Sequence, residues 1–176
     1  MSFFTRLFGK GSGGASGESE TVRRIAARLE RLPPDRARHL AAFAYVLARV
    51  AQADLRISET ESEAMHALVR DHAKLSDEEA ALAVEIAKSQ ARLLGGTENY
   101  VVTREFREIS TREQRLQLLE CLFAVAAADG TISGQESAEI AKIAEELGFL
   151  REESNALRAR WRDSLAEFQQ LPKATS

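Results

Sequence analysis

The 176-residue chain matches itself. Residues Leu40–Ile86 align without a gap onto Arg115–Trp161 at an offset of 75 residues, and 13 of the 47 pairs are identical. The identities gather around one short segment: Ala53/Ala128, Asp54/Asp129, Ile57/Ile132, Ser58/Ser133, Glu61/Glu136 and Ser62/Ser137. Helical sequences share composition, so scattered matches would carry little weight, but a shared Ala-Asp-x-x-Ile-Ser-x-x-Glu turn is hard to obtain by chance. One unit of this size cannot bury its apolar face alone. Two can bury theirs against each other, which predicts a compact pseudo-twofold bundle of two helix–acidic turn–helix repeats.

The rest of the sequence agrees with an all-α fold of about seven helices. Val22, Ile25, Ala26 and Leu29 recur with the period of an amphipathic helix. The Pro33-Pro34 pair stops that helix and suits the first turn of the next. The following segment, LAAFAYVLARVAQA, is apolar almost all round and belongs at the centre of a core. Further helices are expected over about 58–72, from Ser76 to near Gly95-Gly96, from Thr111, from Ser133 to Gly148, and over about 152–169. A short helical turn is expected at Arg104 to Glu108. The helical domain is expected over 20–172, with repeat 1 at about 38–94 and repeat 2 at about 111–170. Ahead of it, Gly11 to Ser19 reads as a flexible Gly/Ser linker, and Met1 to Lys10 carries Phe3, Phe4, Leu7 and Phe8 beside Arg6 and Lys10. That tail is either a weak membrane or partner anchor or a frayed end, since ten residues make a marginal helix.

The turn can carry chemistry or merely hold helices. In the second copy, Asp129-Gly130-Thr131-Ile132-Ser133-Gly134-Gln135-Glu136 reads like the back half of an EF-hand loop, with a turn glycine, an apolar position and a terminal glutamate. The earlier ligand positions are Val125 and Ala127, and in the first copy Val50 and Gln52, with Leu55 in place of the glycine. Neither copy is a working EF-hand. The competing reading is structural. Ser58-x-x-Glu61 and Ser133-x-x-Glu136 are capping boxes, and Ser76-x-x-Glu79 and Ser110-x-x-Glu113 repeat the spacing outside the acidic turns.

The turn resembles that of the tellurite-resistance protein TerB family and of the related N-terminal domain of the membrane-anchored co-chaperone DjlA. AVAAADGTISGQE (Ala124 to Glu136) is similar to the family's alanine-rich Asp-Gly-x-Ile-Ser-x-x-Glu segment, and RVAQADLRISETE (Arg49 to Glu61) to a drifted first copy. The resemblance covers roughly residues 38–164. It implies an all-helical stress-response protein in which Asp54 and Glu61, and Asp129 and Glu136, bind a divalent cation. Two carboxylates per turn make that binding of calcium or magnesium weak. No His-Pro-Asp tripeptide of a J-domain is present.

Other classes find little support. A formal net charge of −3 supplies no bulk basic surface for nucleic acid. The single Cys121 excludes an internal disulfide framework and fits a reducing compartment, so the cytoplasm is expected, with membrane association through residues 1–10 as a variant. Cys121 reads as a core hydrophobe, and Trp161 and Phe168 as core packing. Glu63-x-x-His66 has the spacing of a di-iron helix but lacks its second copy, which leaves His66 an exposed helix residue. No nucleophile–base pair or phosphate loop is evident, so no enzyme and no catalytic residue are expected. A cation-binding module leads. A metal-independent protein-interaction or membrane-peripheral adaptor is the alternative, with another protein as the partner in either case.

Overall fold

A computed structural model describes residues 16–51, 59–93 and 99–169. Among them are nine α-helices and no strands. They run α1 (Ser16–Glu30), α2 (Pro34–Ala51), α3 (Glu59–Ala73), α4 (Asp77–Leu93), α5 (Asn99–Ile109), α6 (Arg112–Ala126), α7 (Gly134–Glu146), α8 (Arg151–Ala159) and α9 (Ala166–Gln169). A 3₁₀ turn at Arg162–Ser164 precedes the last.

The all-α expectation holds, with two helices more than expected. One addition is α5. Its Tyr100-Val101-Val102-Thr103 run is rich in β-branched residues and argues against helix locally, yet Val102 and Phe106, four apart, are buried and fix one face of the helix on the core. The other addition comes from the final helix, which breaks at Arg160 and resumes as α9. In the gap, Ile132 and Leu165 form a parallel bridge, with Ile132 N–H donating to Ser164 O at 2.6 Å and Ala166 N–H to Ile132 O at 3.0 Å. Helix α1 starts at Ser16, inside the stretch read as linker. Residues 1–15, including the amphipathic tail, and Gly95-Gly96 lie outside the described residues.

Helix α2 is the hub. Every residue from Leu40 to Val50 is buried, which is what a helix apolar on all faces requires. It packs on α1, α4, α5, α6 and α7. Helix ends recur at the offset seen in the sequence: Ala51 and Ala126 end α2 and α6, and Glu59 and Gly134 begin α3 and α7, each pair 75 residues apart. Helix α3 lies on α6, and α2 lies on α7. The C-terminal parts differ, because α4 is continuous whereas α8 and α9 are interrupted.

Within this apolar hub sits one cation. The Arg49 side chain is 1% exposed, and its guanidinium reaches Glu139 Oε1 and Glu146 Oε2 on α7, both at 2.6 Å, and Thr103 Oγ1 on α5 at 2.6 Å. Glu146 is itself 7% exposed. Taking such charges out of water costs several kcal/mol each, offset here by mutual attraction and by hydrogen bonds on each side of the guanidinium. At the surface, Arg36 holds Glu79 in a bidentate pair at 2.6 and 2.9 Å, which pulls the Glu79 carboxyl below the usual range. Arg24 and Arg28 of α1 share Glu85 of α4.

Two predictions follow from this interior. Arg49→Ala leaves Glu146 buried without its cation and should destabilise the fold by about 3–5 kcal/mol, read as a shifted denaturant midpoint. His39, packed on Phe106 at 5.1 Å between ring centroids, has its pKa lowered below the ordinary 6.5, first by burial and then by nearby Arg36. The folded state therefore binds the proton less readily than the unfolded chain. Its contribution is complete above about pH 6.5 and is lost as the pH falls below that value. Unfolding titrations between pH 7.5 and 5 should show the loss, and His39→Gln should flatten it.

Candidate functional site

The acidic turn of the second unit is built from a helix end, a left-handed residue and a helix start. Helix α6 closes with Ala127 N–H on Phe123 O and Ala128 N–H on Val125 O. Gly130 N–H then donates to Ala127 O at 2.9 Å, and Gly130 takes φ +96°, a conformation that side-chain-bearing residues resist. The Asp129 carboxylate folds over the apex and accepts from Thr131 N–H at 3.0 Å, the local bond that makes aspartate a turn residue. The carboxylate remains exposed to solvent.

Glu136 lies differently. It is 8% exposed, and its Oε2 accepts from Ser133 N–H at 2.8 Å while its own N–H donates to Ser133 Oγ at 3.1 Å. The expected capping box is therefore present, and it engages one of the glutamate's oxygens. Ser137, the next buried polar residue, accepts from Arg158 Nε at 2.9 Å. The turn thus holds one exposed carboxylate at its apex and one buried carboxylate at its foot. Oxygen donors are the right chemistry for a hard cation, but Glu136 would have to release its cap to offer Oε2. Among the described residues there is no group of three or more His, Cys, Asp and Glu side chains placed to hold a metal. Asp54 of the first copy lies outside the described residues, as does the side chain of Glu61.

The Ser76–Glu79 box forms, with bonds of 3.1 and 3.2 Å. The Ser110–Glu113 box does not. Helix α6 is capped one residue later, by Thr111 with Gln114, and Ser110 Oγ–H instead donates back to Phe106 O at 2.5 Å. Threonine is nearly as good a cap as serine, so Thr111-x-x-Gln114 was readable in the sequence and outcompetes its neighbour. His66 is half-buried rather than exposed, 3.0 Å from Asp77 O through Nε2. Cys121 is buried in the core, where loss of hydration pushes its thiol up to about 12. Trp161 stacks on Phe123 and packs with Phe168 against the core.

Two features were not among the sequence candidates. One is the Arg49 network, signalled only by a lone charge inside an apolar run. The other is an open groove of about 340 Å³ between the starts of α6 and α8. Leu116, Leu119, Phe149 and Leu157 line it, and the Arg112–Glu153 ion pair stands on its rim. Leu116 is 40% exposed there, and Leu150, next to Phe149 in the chain, is 66% exposed.

Fold and turn together define an all-helical domain that carries an acidic turn between two helices. Residues 39–159 match the family model of Tellurite resistance protein TerB, and the chain belongs to that family. No curated protein and no solved structure matches it. Among the described residues no helix is long and apolar enough to cross a membrane.

The geometry of the apex generates a prediction. A Cβ at Gly130 meets nothing within 4 Å, so only its positive φ opposes substitution. Gly130→Ala should cost about 1 kcal/mol. At Gly148, also at positive φ, a Cβ would lie 2.9 Å from the guanidinium carbon of exposed Arg107, whose flexible end can swing aside, so Gly148→Ala should cost only slightly more. Thermal melts of the two variants side by side test the order.

Proposed function

We propose that this chain is a non-enzymatic, tellurite-resistance-type stress-response protein that captures a hard divalent cation weakly at its acidic turns. Asp129 is the entry ligand, and Glu136 the second carboxylate, recruited from its cap. The observation that carries the reading is the exposed Asp129 carboxylate at the mouth of a turn whose foot holds a second carboxylate. Family membership supports the same role. We take Asp54 and Glu61 as the matching pair of a first copy, on the strength of the 75-residue offset between the turns. With so few carboxylates per turn, and one of them engaged, the affinity falls at the weak end of the range for calcium sites. Calcium and magnesium are the cations that such oxygen donors suit.

The groove favours a second reading, a metal-independent module that docks a partner protein. An apolar floor of about 340 Å³ with a charged rim admits an anchoring side chain or two from a partner. Membrane-peripheral attachment would rest on residues 1–10, which lie outside the described residues.

Calorimetric titration of the metal-stripped protein with calcium and with magnesium separates the two. Saturable heat in the full chain, reduced in the Asp129→Ala/Glu136→Gln double variant, is the expected result. No heat, together with a melting temperature indifferent to metal and chelator, would leave the carboxylates as caps and give the groove the functional role.

A further inference from the structure

Arg112 spans the open groove between the starts of α6 and α8. Its guanidinium lies 4.8 Å from the centre of the Phe149 ring and pairs with Glu153. Glu153 also accepts from Leu150 N–H at 2.8 Å, which fixes this clasp to the first turn of α8. The Arg112 side chain is nevertheless 56% exposed. A guanidinium with one face on a ring and the rest in solvent can take a second ring on its open side. Beneath it Leu116, Leu119 and Leu157 complete the apolar floor, and Leu150 stands exposed close by in the chain. The charged residues of the lining are Arg112, Glu113 and Glu153, one base against two acids. The occupant that suits such a groove is short, aromatic and basic.

The chain carries a segment of that chemistry. Met1 to Lys10 holds Phe3, Phe4, Leu7 and Phe8, with Arg6 and Lys10 and no acid. The four apolar positions have the i, i+1, i+4, i+5 spacing of a single helical stripe, and the two bases fall along one flank of it. Stripes of this kind anchor in apolar grooves. Residues 1–15 precede α1. They span up to about 50 Å when extended, more than the roughly 40 Å breadth of a domain of this size. A tether of this length also sets an effective concentration in the millimolar range. A contact too weak to hold a free peptide is therefore populated within one chain.

We propose that this groove is the docking site of the chain's own residues 1–10, with a phenylalanine stacked on the open face of Arg112 and a basic residue facing Glu113. The inference rests on the groove reading given above and names the groove's resident occupant. A partner protein that uses the groove must displace the tail, so the two compete. The acidic turns take no part in it.

The test places a nitroxide on the tail of the full-length protein through Ser2→Cys. Cys121 is buried and does not compete for the reagent. The amide signals of Leu116, Leu150 and Leu157 should broaden, and the broadening should persist on dilution, as a contact within one chain requires. Phe4→Ser/Phe8→Ser in the tail and Leu116→Glu in the groove should each abolish it. Leu116 is exposed, and a melt of each variant verifies that the fold is unchanged. Free peptide of residues 1–10 should restore the signals only at millimolar concentration. Absence of broadening at these leucines would overturn the proposal and leave the groove open to a partner protein. Broadening lost in the tail variant but retained in Leu116→Glu would place the tail elsewhere on the domain and overturn it equally. Broadening that fades on dilution would make the occupant the tail of a second copy, against docking within one chain.

Discussion

A single buried guanidinium ties three helices of this domain together. Arg49 lies near the end of α2, the helix that is buried on every side, and it holds two glutamates of α7 and a threonine of α5. Apolar packing around α2 is broad but directionally permissive, since leucine and alanine faces tolerate small slides and rotations. A planar cation with fixed donor directions does not. The network ties α2 to α7 at the level of Glu139 and Glu146, one to three turns past the acidic turn that opens α7. Satisfying the charge requires Glu139 and Glu146 of α7 and Thr103 of α5 to face the end of α2.

That constraint reaches the end of α2 and the start of α7. Helix α2 ends two residues beyond Arg49, and Glu139 stands three residues after Glu136, the carboxylate that caps α7. The same ion pairs join the end of α2 to α7. The second turn can then be shaped by short-range bonds alone: Asp129 on Thr131, Glu136 on Ser133, and a left-handed Gly130 between them.

Much of this was legible in the residues. The period of Val22 to Leu29, the proline pair, the all-apolar α2 segment and the alanine–aspartate turn each carry a physical signal strong enough to survive folding, and the Ser133–Glu136 box formed where the spacing placed it. What escaped was decided by tertiary contact. Thr103 and its β-branched neighbours became helical because Val102 and Phe106 had a core to enter. The last helix broke because Leu165 found Ile132, a partner 33 residues away that no local pattern announces. Arg49 stood in the sequence as a lone charge inside an apolar run, and its glutamate partners lie 90 and 97 residues further along the chain. At the candidate site, sequence identified the carboxylates, while the different states of Asp129 and Glu136 came from burial and capping.

Cys121 gives the domain an internal clock. Its sulfur is enclosed by the core, and burial pushes the thiol up to about 12, so at neutral pH the folded protein presents neither access nor thiolate to an electrophile. Alkylation then waits on openings that expose α6, and its rate counts those openings directly. A chain with one thiol so placed reports its own conformational lifetime without a probe being added, and any ligand that steadies the bundle will be visible as a slower loss of that thiol.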